Sequence, residues 1–152
     1  MCTSFMQEVL TATHNFGTAP TRGSGTADTF KAALYEATGT RNAGTTSYSI
    51  TDEVSGAGYT AGGVTVTNAT PPASTNSSAT AGVAYWTPSA SIVYTGVTLT
   101  TAFDAMLMYN STQSDKAVAV FTFGSQTITS GNFTLTMPTN NTTNALLRLS
   151  TT

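Results

Sequence analysis

The stretch AFDAMLMYNSTQSDKAVAVFTFG, residues 102–124, decides the fold class of this chain. Two runs rich in apolar and β-branched residues, 102–110 and 116–124, flank a polar segment. This pattern predicts two antiparallel strands joined by a turn. Met106 and Met108 make one face of the first strand apolar, and the alternate positions are apolar too. A sheet with one face in water alternates apolar with polar residues, so the second face must be covered by the same chain or by another subunit.

Shorter segments with period-two patterning flank this hairpin. We predict strands at 29–37, 64–67, 91–103 and 144–150, and a second hairpin over 125–138 that turns at Ser130-Gly131. The Pro-, Ser- and Thr-rich segment 67–82 predicts an exposed loop. About seven or eight short strands at regular spacing predict a mainly β fold, an antiparallel β-sandwich or barrel.

The N-terminus differs from the rest of the chain. Ser4 and Gln7 fit a capping box, and Phe5 and Val9 belong to an apolar stripe at helical spacing, which predicts one α-helix within 1–16. A linker rich in Gly, Pro, Ser and Thr follows at 17–28, and residues 29–152 form the predicted single β domain. Such a linker allows the helix to pack on its own domain or on a neighbour.

Charge is unusually scarce in this 152-residue chain. Only 8% of the residues are charged, against about 25% in ordinary soluble domains, and nearly a third are Ser or Thr. The surface must therefore carry mostly neutral hydroxyls and amides, which lack the charge repulsion that keeps monomers apart. This favours a protein that works in an assembly over a monomer kept in solution by hydroxyls alone.

Several classes of function are disfavoured by the composition. The five basic residues are scattered singly, which argues against nucleic-acid binding. Cys2 is the only cysteine, so the chain has no intrachain disulfide and no Cys-rich zinc cluster. The N-terminus lacks a signal-peptide pattern, and no apolar run approaches the length of a membrane-spanning helix. We expect no metal, no cofactor, no nucleic-acid partner and no membrane partner.

The glycine-rich stretch DEVSGAGYTAGGVTVT, residues 52–67, could cradle a phosphate or turn the chain. Gly56 and Gly58 open a dinucleotide-like motif, but Gly62 comes one residue too late. The pattern after Gly63 predicts a strand, so no helix N-terminus is available to bind a phosphate. A turn needs only positive φ angles at some of these glycines, and we favour it.

No group of residues predicts catalysis. His14 is the only histidine and lies near the end of the predicted helix, where a solvated side chain is the ordinary outcome. The adjacent carboxyls of Asp52 and Glu53 point to opposite faces of an extended chain and cannot work as a pair unless a turn brings them together. We therefore predict a protein that is not an enzyme, with no catalytic residues.

Five segments, taken together, resemble a family. ADTFKAALYEA (27–37), YSITDEVSGAGYTAGGVTVT (48–67), MLMYNSTQSDKAVAVFTFG (106–124), SGNFTLTMP (130–138) and ALLRLS (145–150) occur in this order. They resemble small β-rich virion proteins of tailed bacteriophages, over roughly Asp28 to Leu149. The segments 17–27 and 71–82 depart from this pattern.

The resemblance implies a structural role in the virion, most simply as a capsid cement or decoration protein that binds the major capsid protein and forms a homo-oligomer. A neck or tail component is the alternative. Another alternative is a carbohydrate- or receptor-binding module at the tail tip, with Tyr59, Trp86 and Tyr94 stacking on sugars. Under the first hypothesis the predicted interface residues are Phe5, Val9, Tyr59, Trp86, Met106 and Met108.

Overall fold

A computed structural model describes residues 2, 5, 9, 13–16, 27–75 and 82–150. This part of the chain forms seven strands in two antiparallel sheets, which confirms the mainly β prediction. The strands are β1 (Phe30–Glu36), β2 (Val64–Thr65), β3 (Ala73–Ser74), β4 (Val83–Trp86), β5 (Ile92–Asn110), β6 (Lys116–Leu135) and β7 (Leu147–Ser150). The larger sheet has the order β2-β1-β5-β6, and the smaller sheet has the order β3-β4-β7.

The predicted hairpin at 102–124 is confirmed and is much longer than expected. Its strands β5 and β6 contain 19 and 20 residues and pair from Asn110↔Lys116 to Ile92↔Leu135. The connecting turn places Ser114 and Asp115 at φ angles of 55° and 58°. The Asn110 side chain accepts backbone hydrogen bonds from Thr112 and Gln113 at 3.1 and 3.2 Å, which fixes the reversal.

The predicted second hairpin at Ser130-Gly131 is wrong. Ser130 has a φ of 47°, but β6 continues through it, and the register shifts between Val97↔Gly131 and Leu99↔Ile128. The left-handed residue therefore accommodates a β-bulge instead of reversing the chain. On the partner strand, the predicted strands 91–103 and 102–110 form the single strand β5. This strand is interrupted by β-bulges and by Gly96, which has a φ of 64°.

Strand β1 pairs with β5 and is almost wholly buried. Phe30 pairs with Asn110 and Lys31 with Tyr109, so Phe30 and Tyr109 lie on opposite faces of the sheet. Phe16 stacks on Phe30 at 4.6 Å between ring centroids, and Tyr48 stacks on Tyr109 at 4.7 Å. Residues of the same chain thus cover both apolar faces at these positions.

The smaller sheet contains two strands that the sequence patterns missed. β3 lies inside the predicted loop at 67–82, and β4 follows directly after it. β4 pairs with the predicted C-terminal strand, which is shorter than expected and begins at Leu147.

The predicted N-terminal helix falls mostly on residues outside the described part, as does most of the linker at 17–28. Of this region, Cys2 and Phe5 are buried, and the Cys2 N–H donates to the Val118 carbonyl at 3.0 Å. Within the described residues, no helix has the length and apolar character needed to cross a membrane.

Candidate functional site

An apolar groove of about 410 Å³ lies between the smaller sheet and the N-terminal residues. Its lining is almost entirely apolar or aromatic: Phe5, Val9, Phe16, Pro72, Ala84, Tyr85, Trp86, Leu147, Arg148 and Leu149. Grooves of this size and character are typical binding surfaces for apolar groups.

Strand pairing builds the floor of the groove. Trp86 lies opposite Leu147 and Ala84 opposite Leu149, so these four residues share one face of the smaller sheet. The Trp86 indole N–H donates to Asn68 Oδ1 and to the Thr70 carbonyl, both at 3.1 Å. These bonds fix the ring, which is only 2% exposed, while Leu149 beside it is 55% exposed.

Aromatic residues of the N-terminal segment build the facing wall. The Phe16 ring lies 4.5 Å from the Trp86 ring and 5.9 Å from the Phe5 ring, centroid to centroid. Phe16 also stacks on Phe30 of β1, so this wall is attached to the larger sheet as well. The groove therefore depends on contacts among three regions distant in sequence.

Among the described residues that line the groove, Arg148 is the only charged one, and its guanidinium donates to the Thr143 carbonyl at 2.7 Å. The part of the lining that the structure describes contains no carboxylate, histidine or cysteine. Such a surface can bury apolar side chains of a partner.

Three of the six predicted interface residues, Phe5, Val9 and Trp86, meet in this groove. The other three lie elsewhere. Met106 and Met108 are fully buried in the core, and Tyr59, within the glycine-rich stretch, is half-buried against Leu34 of β1 and the Tyr94 ring. The sequence reasoning missed Phe16, Tyr85, Leu147 and Leu149 as groove residues. The alternating pattern of the predicted C-terminal strand places Leu147 and Leu149 on one face, and this could have identified them as groove residues. The sequence of β4 contains no comparable pattern.

Glu53, in the glycine-rich stretch, is the centre of a buried hydrogen-bond network. Its carboxyl accepts bonds from the Tyr48 and Tyr59 hydroxyls, both at 2.6 Å, and from the Gly62 N–H at 2.7 Å. The Tyr59 oxygen in turn accepts the Leu34 N–H of β1 at 3.0 Å. The stretch is thereby fixed against the larger sheet, and Glu53 is only 8% exposed.

Close approach of backbone explains the glycines around Glu53. A Cβ on Gly63 would lie 1.6 Å from the Ala32 carbonyl oxygen, and one on Gly56 would lie 2.0 Å from that of Thr98. Gly58, Gly62 and Gly63 also have positive φ angles of 77°, 87° and 71°. The prediction of a turn is confirmed, and the glycines contact neighbouring strands through their backbone.

Burial raises the pKa values of the tyrosines around this network. For Tyr59 and Tyr48 desolvation is the largest cause, and the hydrogen bond to Glu53 adds to it. The pKa values of Tyr94 and Tyr109 are also raised, first by burial and then by a nearby carboxyl, Glu53 and Asp115 respectively. These hydroxyls therefore remain protonated donors, which suits a structural network.

His14 and Asp28 belong to a second polar network beside the turn between β5 and β6. Asn110 Nδ2 lies 3.0 Å from His14 Nδ1 and donates to Asp28 Oδ2 at 2.8 Å. Asp28 also accepts the Asn15 N–H at 2.9 Å, so the network fastens the N-terminal segment to the hairpin. His14 is half-buried here, not solvated as expected. In the described part of the chain, no group of three His, Cys, Asp or Glu residues is placed to hold a metal ion.

Comparisons of this chain with protein-family models, curated proteins and solved structures give no match.

Proposed function

We propose that this chain is a non-enzymatic structural protein of a tailed-bacteriophage particle, a cement or decoration protein that binds the assembled head. The observation that carries the proposal is the open apolar groove on a chain with 8% charged residues. Of the groove residues that the structure describes, Arg148 alone is charged. The resemblance of the sequence to small virion proteins supports the same role.

The groove favours a protein partner over a small charged ligand. Its apolar floor and aromatic wall would bury side chains of a neighbouring subunit, and apolar burial contributes about 25 cal/mol per Å² of surface removed from water. A cement protein that binds only the folded, assembled capsid stabilises the capsid by mass action. The proposed partner is the major capsid protein.

The first test is the composition of purified particles. We expect this chain in the virion by mass spectrometry, and on the head surface in a cryo-EM map. Its absence from the particle would contradict the proposal. Density at the neck or tail would contradict the role of a cement protein and support that of a neck or tail component.

The second test isolates the groove. Particles lacking this protein are mixed with purified Leu149→Lys, because Leu149 is 55% exposed and its replacement leaves the core intact. We expect binding to the particle to weaken at least about tenfold, since a lysine would then enter an apolar contact.

Ile50→Lys is the matched control, because Ile50 is 69% exposed and does not line the groove. It should bind as the unmodified protein does. Equal binding by both variants would show that the groove is not the contact surface.

The tail-tip alternative receives no support from the positions of its three aromatic residues. Trp86 and Tyr94 are each only 2% exposed, and the Tyr59 hydroxyl is bonded to Glu53. Stacking on a sugar requires an open ring face, so these three rings are poorly placed for it.

A further inference from the structure

Strand β6 is the outer strand of the larger sheet. Along its inner edge it pairs with β5 over its whole length, from Lys116 to Leu135. A strand in this position presents a row of backbone N–H and C=O groups on its outer edge, which is a template for pairing with another chain.

The described residues cover only the beginning of that outer edge. Ser47 forms a bridge with Lys116, Thr46 accepts the Ala117 N–H at 3.0 Å, and Cys2 bonds to Val118. Among residues 2, 5, 9, 13–16, 27–75 and 82–150, no segment other than β5 forms a backbone–backbone hydrogen bond with residues 119–135. The Gln126 side chain of β6 itself donates to the Gly124 carbonyl at 3.0 Å.

The sequence of β6 carries few of the features that protect an edge strand. No charged residue and no proline occurs from Ala117 to Leu135, and the next charge along the chain is Arg148. Lysines and prolines are the usual protection against edge-to-edge pairing.

β-Bulges are the one feature of β6 that hinders edge-to-edge pairing. They limit the part of its outer edge that can pair with another chain. Relative to β5, β6 has extra residues between Ala119 and Ala117, between Gln126 and Thr122, and between Gly131 and Ile128. The segment Gly131–Leu135 lies beyond them. One further register shift falls between Phe133 and Gly131, but there the extra residue lies on β5, between Tyr94 and Val97. From Phe133 opposite Tyr94 to Leu135 opposite Ile92 the pairing is regular. Its side chains at Asn132 and Thr134 are exposed.

We propose that Gly131–Leu135 pairs antiparallel with the same segment of a second copy of this chain, across a two-fold axis near Phe133. A two-fold interface brings each residue close to its own counterpart, so a charged edge would meet like charge. The neutral edge of β6 avoids that cost, and Asn132 and Thr134 would form neutral cross-strand pairs. This interface goes beyond the proposed function, since it requires no virus particle.

The test measures the oligomeric state of the full chain by sedimentation equilibrium over a range of concentrations. We expect a dimer for the unmodified chain. In the proposed pairing the two copies of residue 134 lie on a diagonal about 7–8 Å apart. Thr134→Lys and Thr134→Glu should therefore each raise the dimer dissociation constant at least about tenfold, and an equimolar mixture of the two should restore the dimer.

Thr100→Lys is the matched control, because Thr100 is exposed on the inner strand β5. It should dimerise like the unmodified chain. A monomer at all concentrations would overturn the proposal, as would a Thr134→Lys dimer of undiminished affinity, or a mixture that stays monomeric. Circular dichroism tests whether each variant is folded. If Thr134→Lys does not fold, the dimer dissociation constant of Thr134→Glu decides whether the proposed interface exists. Absence of the chain from particles would leave this result unaffected.

Discussion

At the scale of single residues, Glu53 is the buried group whose hydrogen bonds position the glycine-rich stretch. Glu53→Gln keeps the shape of the side chain but exchanges one acceptor oxygen for a donor NH₂. One of the three donors, the hydroxyls of Tyr48 and Tyr59 or the N–H of Gly62, then loses its acceptor. We expect a loss of about 2 kcal/mol in the free energy of unfolding, measured by urea denaturation.

Asp52→Asn is the control for that substitution. Asp52 is the adjacent carboxyl, its side chain is 41% exposed, and its contact with Arg41 is long at 3.9 Å. Asparagine also tolerates the φ of 59° at this position. A change below about 1 kcal/mol is expected. Equal losses for the two variants would show that the Glu53 network contributes no more than an exposed carboxyl does.

Alanine substitutions at two glycines distinguish the cost of backbone strain from the cost of a steric clash. Gly63→Ala combines a φ of 71° with a Cβ placed 1.6 Å from a carbonyl oxygen, and we expect a loss of at least about 3 kcal/mol in unfolding free energy. Gly96→Ala has a φ of 64° and open space around the Cβ, so strain alone should cost about 1–2 kcal/mol. Thermal and urea unfolding of both variants measure the difference.

Gly124→Ala completes this series, because Gly124 has neither a positive φ nor any atom within 4 Å of its Cβ. Alanine there should be neutral or should stabilise the protein by about 0.5 kcal/mol. An order of stability other than Gly124→Ala, Gly96→Ala, Gly63→Ala would contradict the close approach between Gly63 and β1.

At the scale of elements, the N-terminal segment is joined to both sheets through the ring of Phe16. Phe16→Ala removes its contacts with Phe30 and Trp86. Because Phe16 is only half-buried, we expect a loss of about 2 kcal/mol, less than for a fully buried phenylalanine. Trp86 is the only tryptophan, so its fluorescence should also shift to the red in the folded variant.

Phe121→Ala is the matched control for this experiment. Phe121 is also half-buried but lies on β6 opposite Met106, and it does not line the groove. It should lower stability and leave the native Trp86 emission unchanged. An unchanged emission in Phe16→Ala would show that Phe16 does not shield the indole.

The β5–β6 hairpin shows what a turn signal in sequence leaves undecided. Two segments carry residues suited to positive φ angles, 110–115 and Ser130-Gly131. Only the segment 110–115 reverses the chain. At the first turn the backbone N–H groups of Thr112 and Gln113 donate to the Asn110 side chain, whereas at the second the Ser130 N–H donates to the Thr98 hydroxyl of β5 at 3.0 Å. The pairing partner across the sheet, not the local dipeptide, determines whether a bulge or a turn forms.

At the scale of the whole molecule, the buried tyrosines make stability sensitive to alkaline pH. Tyr35, Tyr48, Tyr59, Tyr94 and Tyr109 all have pKa values raised above the ordinary 10.0. Above that pH the unfolded chain loses protons that the folded chain keeps, so unfolding becomes easier as pH rises. The free energy of unfolding should be insensitive to these groups below pH 10 and should fall steeply above it.

Urea denaturation between about pH 8 and pH 11, together with tyrosinate absorbance of the folded protein, measures this effect. Tyr94→Phe is the informative variant, because Tyr94 is buried and donates to the Ala32 carbonyl at 2.7 Å. It should lower stability at neutral pH and reduce the steepness of the alkaline decline. Full ionisation of all tyrosines in the folded protein near pH 10 would contradict the burial of these hydroxyls.

The sequence by itself determined the local features of this protein. Alternation of apolar residues predicted β1 and the hairpin, the polar segment at 110–115 predicted the turn, and the glycine spacing favoured a turn over a phosphate loop. These features depend on residues near one another in the chain, where period and turn chemistry act directly.

Only the tertiary structure decided which distant residues meet. Trp86 contacts Phe16 and pairs with Leu147, and Glu53 receives hydroxyls that no periodicity assigns to it. Backbone clearance at Gly63 likewise depends on β1, which lies about thirty residues earlier in the chain. Packing between segments that are distant in sequence determines these contacts. A local sequence pattern cannot predict which distant residue a side chain will contact in the core.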